Sequence, residues 1–271
     1  MRHIPVLSSR NILLATTLAI CCVTSPAEAE PLLEDPFGII GTAPTPIGGQ
    51  TLGFGLGYTR ARDGANRNLY GGMLEAEAGL VRGLDLRFAQ TLEYGPAAPY
   101  PPDDAARVWG GLSQLGLRWQ FMEEEGWRPA MGVFGSVRTA YGETSGPSQS
   151  GQIIGLLSKT IIEGPRPMAL SLNAGWSELF NPAPGERAGR YEFAAGLAQS
   201  IGEDTSLGVS YLRSQQDRGE KDQNIVAVGL WHRLGGRGPI LAAGAGAGIG
   251  DDSPSFLVFV SAKWLFGAAA P

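Results

Sequence analysis

The chain has 271 residues, a formal net charge of −5 and a sequence pI near 5.2, with no run rich in lysine or arginine. That balance argues against a nucleic-acid partner, which requires a basic footprint to neutralise phosphates. Both cysteines, Cys21 and Cys22, fall within the first thirty residues, so the rest of the chain has no disulfide framework, thiol nucleophile or cysteine metal site.

In chain order, the first segment reads as an export signal. Arg2 and Arg10 give a basic start, residues 12–23 are apolar, and Ala27 and Ala29 form an A-x-A cleavage site, predicting cleavage after Ala29. The apolar run falls short of the roughly twenty residues of a membrane-spanning helix. Lipidation is disfavoured because Cys21 follows Ile20 instead of a small residue. About 240 residues remain, a length at which an all-β barrel commonly forms one domain. The Pro- and Gly-rich stretch 30–49 is expected either to hang in the periplasm as an extension or to plug a lumen.

Beyond it, no apolar run is long enough for a spanning helix. Instead, segments of about nine to thirteen residues alternate apolar with small or polar side chains, the period of a strand with two unlike faces. In 51–58, Leu52, Phe54, Leu56 and Tyr58 oppose Gly53, Gly55 and Gly57. In 84–94, Leu84, Leu86, Phe88, Leu92 and Tyr94 oppose Asp85, Arg87, Thr91 and Glu93. Strands are predicted near 50–60, 69–81, 84–94, 107–121, 129–141, 150–162, 167–178, 190–201, 205–214, 223–233, 239–249 and 255–266. An Arg or Lys facing lipid at the bilayer midplane costs about 2–4 kcal/mol, so Arg87, Arg118, Arg138 and Lys263 are expected to mark the inward face. Within 152–162 and 225–233 both faces are apolar, and the pattern leaves their orientation open.

The connections alternate between polar loops (61–68, 95–106, 142–149, 179–189, 215–222, 250–254) and tight turns (82–83, 122–127, 163–166, 202–204, 234–238). Aromatic residues gather near strand ends: Trp109, Trp119, Phe121, Tyr141, Trp176, Tyr191, Tyr211, Trp264 and Phe266. Together these features predict an all-β fold: a transmembrane antiparallel β-barrel of about twelve strands over 50–266, with short periplasmic turns, longer extracellular loops and interfacial aromatic girdles, followed by a tail at 267–271. The expected location is the outer membrane of a Gram-negative bacterium. The competing fold is a soluble lipocalin-like barrel with its apolar faces inward.

Catalytic chemistry finds little support. The only histidine after the signal, His232, lies between Trp231 and Arg233 with no nearby serine, and no G-x-S-x-G elbow occurs, so no catalytic residue is assigned. No metal-ligand spacing or nucleotide loop is present, and no cofactor is expected; glycines 244, 246 and 248 do not open a helix. The candidate site is the inward charge set Glu75, Glu77, Asp85, Arg87, Arg118 and Arg138. It reads as a charged constriction that selects solutes or as a lumen braced by ion pairs. The run 123–125 of three glutamates reads as a solvated turn.

Several landmarks resemble one family. Residues 31–35 and 38–41 with the strand 51–60, then 79–86 (GLVRGLDL), 111–121 (GLSQLGLRWQF), 224–234 (NIVAVGLWHRL), 244–254 (GAGAGIGDDSP) and 263–266 (KWLF), are similar to outer-membrane transporters linked to the meta-pathway of phenol degradation. The resemblance covers most of the chain after the signal. It implies a porin-like role in passing small, often apolar or aromatic, compounds across the outer membrane. Expected partners are outer-membrane lipids, small-molecule solutes and the barrel assembly machinery. A closed structural or surface-binding barrel, and a barrel enzyme acting on lipids, are the alternatives.

Overall fold

A computed structural model of the chain describes residues 39–62, 68–96, 107–142, 147–182, 186–216, 218–235, 238–250 and 253–267. The expected export signal, residues 30–38 of the 30–49 stretch, much of the longer loops and the end of the tail lie outside these residues. Twelve strands form: β1 (Gln50–Arg60), β2 (Asn68–Val81), β3 (Leu84–Pro96), β4 (Arg107–Met122), β5 (Ala130–Gly142), β6 (Ser148–Ile162), β7 (Met168–Leu179), β8 (Gly189–Ser200), β9 (Thr205–Ser214), β10 (Gln223–Arg233), β11 (Ile240–Gly248) and β12 (Phe256–Phe266). Each pairs antiparallel with its sequence neighbours, and β1 pairs with β12, closing the barrel. Closure leaves no unpaired strand edge, which is what lets β-structure sit in a medium that offers no hydrogen bonds.

Alternation decides what faces where. In β1, Thr51 is buried while Leu52, Phe54 and Leu56 are exposed on the outside. Across the register, Thr51 meets Glu77 on β2, Glu77 meets Arg87 on β3, and Asp85 meets Arg118 on β4, so the charged residues share the inner face. The outer face carries exposed Leu, Val, Ile, Phe and Trp around the wall, including Leu74, Leu115, Val137, Ile153, Val209 and Val228. A soluble monomer rarely exposes contiguous apolar surface beyond a few hundred Å². This face is a bilayer-facing belt, and the lipocalin-like arrangement, which needs the opposite polarity, is excluded.

Aromatic side chains border the belt. Trp119 and Phe121 pack edge to face near one rim, and Tyr94 packs in a tilted arrangement on Trp109, ring centroids 4.9 Å apart, near the other. Connections at the rim that receives the N-terminal segment are 82–83, 123–129, 163–167, 201–204 and 234–239; those at the opposite rim are 61–67, 97–106, 143–147, 180–188, 215–222 and 249–255. The second set is longer on the whole, but the alternation is not strict, since 123–129 matches 61–67 in length. The reason is local: Glu125 and Arg128 exchange backbone bonds and fold the 123–129 turn into a miniature hairpin.

The two orientations left open by the sequence are settled by what lies inside. On β6, Gln152, Ile154 and Leu156 point inward and Ile153 outward. Ile154 and Leu156 form a buried cluster with Phe134 of β5, and Ile40 of the N-terminal segment packs on it. On β10, Ala227 and Trp231 are inward and buried while Val228 and Leu230 face out. Trp231 lies against Gly208 of β9 and Gly229 of its own strand. The inner face is apolar at these places because it supports packing within the lumen.

Candidate functional site

The described part of the N-terminal segment, 39–47, runs inside the barrel. It starts at the rim, where Ile47 bridges Gly79 of β2 and the Gly49 amide donates to the Pro46 carbonyl at 2.8 Å. From there it reaches the far wall: the Ile40 amide donates to Asn173 Oδ1 of β7 at 2.7 Å, and Asn173 Nδ2 donates back to the Ile40 carbonyl at 3.0 Å. Strands β2 and β7 are five steps apart in a ring of twelve, so the segment crosses nearly the full lumen. Two glycines make room at its ends. A Cβ on Gly79 would sit 2.0 Å from the Pro46 carbonyl oxygen, and one on Gly196 of β8 would sit 2.3 Å from Ile39 Cδ1.

Between these ends the segment rests on a buried charge cluster. The Thr45 amide donates to Asp85 Oδ2 at 2.7 Å and its hydroxyl to Glu77 Oε2 at 3.0 Å. Arg118 Nη2 lies 2.5 Å from Asp85 and 3.5 Å from Glu77, and Arg118 Nη1 donates to the Gly41 carbonyl at 3.2 Å. Arg87 and Lys263 complete the shell around Glu77, at 2.8 and 3.5 Å. Glu77, Asp85 and Arg118 are 4, 0 and 1 % exposed. Buried charges persist only when paired and hydrogen-bonded, and here each carboxylate has both a cation and a segment donor.

Beside this cluster lies a cavity of ≈ 280 Å³ whose lining includes Ile39 and Ile40 from the segment and Phe134, Ile154 and Leu212 from the wall. Its polar lining includes Glu75, Glu77, Arg87, Gln114, Arg138, Gln152, Asn173 and Glu192. Arg138 sits 3.9 Å from Glu192, which also accepts a hydrogen bond from Gln152. Arg87 Cζ lies 5.6 Å over the Phe134 ring, a cation–π arrangement that places the guanidinium beside the apolar wall. Arg87 Nη1 and Arg138 Nε are buried N–H groups with no hydrogen-bond partner among the described residues.

All six candidate residues therefore point into the lumen, but they divide. Glu75, Arg87 and Arg138 line the cavity, Asp85 and Arg118 lie under the N-terminal segment, and Glu77 borders both. Arg138 pairs with Glu192 of β8 and stands apart from the Glu77 cluster. Reasoning from sequence missed Glu192, Gln114, Gln152 and Asn173, although each sits at an inward parity of its strand. It also missed Thr45 and Ile40, for which the sequence carried no periodic signal.

The remaining features fall outside the site. His232 faces outward near the turn-bearing rim, its Nδ1 2.9 Å from Thr205 Oγ1. The three glutamates of the 123–129 turn are each engaged: Glu123 with Arg82 of the 82–83 turn at 2.8 Å, Glu124 with Lys159 of β6 at 2.6 Å, and Glu125 through its backbone with Arg128 of the same turn. Gly244 faces inward against the Phe259 ring. Among the described residues, no cluster of three or more His, Cys, Asp or Glu side chains is placed to hold a metal ion.

No protein-family model matches the sequence, and no curated protein does. Solved structures of similar shape include the KdgM porin, 9% identical over 79% of this chain and 98% of that one, with a TM-score of 0.49. The translocator domain of the autotransporter NalP from Neisseria meningitidis is 11% identical over 80% and 88% of the two chains, with a TM-score of 0.48. The transport unit of the autotransporter AIDA-I from Escherichia coli is 10% identical over 82% and 90%, with a TM-score of 0.43. These are likenesses of architecture, and the case for the barrel rests on its own register and its two unlike faces.

Proposed function

We propose that this protein is an outer-membrane β-barrel channel for the passive passage of small compounds, with its lumen as the route. The observation that carries the reading is the cavity of ≈ 280 Å³ inside a closed, bilayer-belted wall, with guanidinium, carboxylate and amide groups facing apolar side chains. A barrel whose only task was to fill itself would pack its interior as proteins generally do, with few voids larger than a water molecule. The mixture suits solutes with an apolar body and a polar group, in keeping with the resemblance to transporters of small, often aromatic, compounds. Outer-membrane lipids and the barrel assembly machinery are the partners such a chain requires. An enzymatic role has no support at His232, whose neighbour on β9 is a threonine pointing to the membrane interface.

Flux of small sugars and of monocyclic aromatics into liposomes carrying the refolded protein tests this, with heat-modifiable gel mobility as the check on folding. Flux above empty liposomes is the expected result. A folded barrel passing none of these solutes would shift the reading to a closed structural barrel. The buried ion pairs and the segment across the lumen favour that second reading.

A further inference from the structure

The same segment that obstructs the lumen is built to leave it, and we infer that residues 39–47 are a displaceable gate latched by Glu77, Asp85 and Arg118. This rests on the channel reading and adds to it the element that opens and closes the route. The barrel owes none of its closure to the segment: every strand pairs with two strand neighbours, and the segment contributes one isolated bridge, Ile47 to Gly79. Residues 41–46 read Gly-Thr-Ala-Pro-Thr-Pro and form neither helix nor strand, so no internal ladder is lost when they move. A segment without regular structure opens locally at far lower cost than the strands around it.

The contacts that hold it are few: polar along 41–45, and apolar at the far end, where Ile39 lies beside Gly196 and Ile40 packs on Phe134, Ile154 and Leu156. Thr45 is bound through its amide to Asp85 and through its hydroxyl to Glu77, Gly41 through its carbonyl to Arg118, and Ile40 through both backbone groups to Asn173. Water can replace each of these bonds once the segment lifts, and the two carboxylates keep Arg118 and Lys263 as partners. Apolar packing is confined to the far end, at Ile39 and Ile40, and the other side chains of the segment buried against the wall are Thr42 and Thr45. The division of the candidate charges follows: Glu77, Asp85 and Arg118 hold the gate, while Arg138 and Glu75 border the space a solute occupies. Ile39 and Ile40 line that same space, so a solute entering it touches the gate.

The test is reversible crosslinking in the full chain. Ile39→Cys and Gly196→Cys place two thiols at the far end of the segment, where Ile39 Cδ1 now fills the space beside Gly196. A bis-methanethiosulfonate of ethane length bridges them, and dithiothreitol releases them. Solute flux into liposomes is read before bridging, after it and after reduction, with mass spectrometry reporting the bridge. A gate predicts that flux falls about tenfold or more on bridging and returns on reduction, as expected when the open state is withdrawn from the population. A separate variant, Thr45→Pro, removes both latch donors without altering the barrel wall, and its flux should exceed that of the unaltered chain.

Bridged protein that conducts as well as reduced protein would overturn the gate while leaving the channel standing. So would a Thr45→Pro flux no higher than that of the unaltered chain. Failure of the reagent to bridge the two cysteines in folded barrels would contradict the seating of the segment itself. Absence of flux in every form, Thr45→Pro included, would remove the channel reading and the gate together.

Discussion

Arg118 is the residue on which the inner cluster turns. Its guanidinium touches Asp85, Glu77 and the Gly41 carbonyl, and it is 1 % exposed. Arg118→Met keeps most of the volume, takes from buried Asp85 its cation at 2.5 Å and leaves Glu77 with Arg87 and Lys263. Breaking a buried pair in this way typically costs about 3–5 kcal/mol, more than the pair itself adds over an apolar replacement. Urea unfolding of the vesicle-inserted barrel should show that loss, and a change below about 1 kcal/mol, typical of exposed pairs, would mean that water reaches the cluster. Arg82, whose partner Glu123 is exposed, is the natural contrast, and its removal should fall in that small range.

At the scale of the element, strand alternation fixed most of the architecture in advance. Leu52, Phe54 and Leu56 against Gly53 and Gly55, or Leu84 and Leu86 against Asp85 and Arg87, leave one solution for the facing of a strand between lipid and lumen. The predicted bounds fall within two residues of those observed at every strand. Two strands resisted because the pattern assumes a polar interior. Ile154 and Leu156 support Ile40, and Trp231 covers glycines, so their inner faces look like lipid-facing ones. The site was less legible for a related reason. A glutamine or glutamate at an inward parity, such as Gln152 or Glu192, is unremarkable in sequence, and the Thr- and Pro-containing segment has no period to place it. The orientation of β6 can be tested directly. Ile153→Arg puts a charge on the bilayer side and should cost about 2–4 kcal/mol if it lies near the midplane, read as a lowered urea midpoint. A neutral result would mean that Ile153 does not face lipid.

For the molecule as a whole, the barrel and its contents do separate jobs. The wall is a continuous ring of paired strands with an apolar exterior, and it needs nothing from the lumen to close. The interior holds a charge cluster, a crossing segment and a cavity between them. Passage, closure and selectivity can then change by moving a few residues within a fixed cylinder, as loops do on other rigid scaffolds. The most direct measurement of this account is planar-bilayer conductance of the chain beginning after Ala29, compared with the same chain lacking residues 39–46. Small or infrequent current steps are expected from the first and larger, more persistent steps from the second. Two folded, inserted barrels that both pass no current would contradict it, and the lumen would then be a packed interior with no route through it.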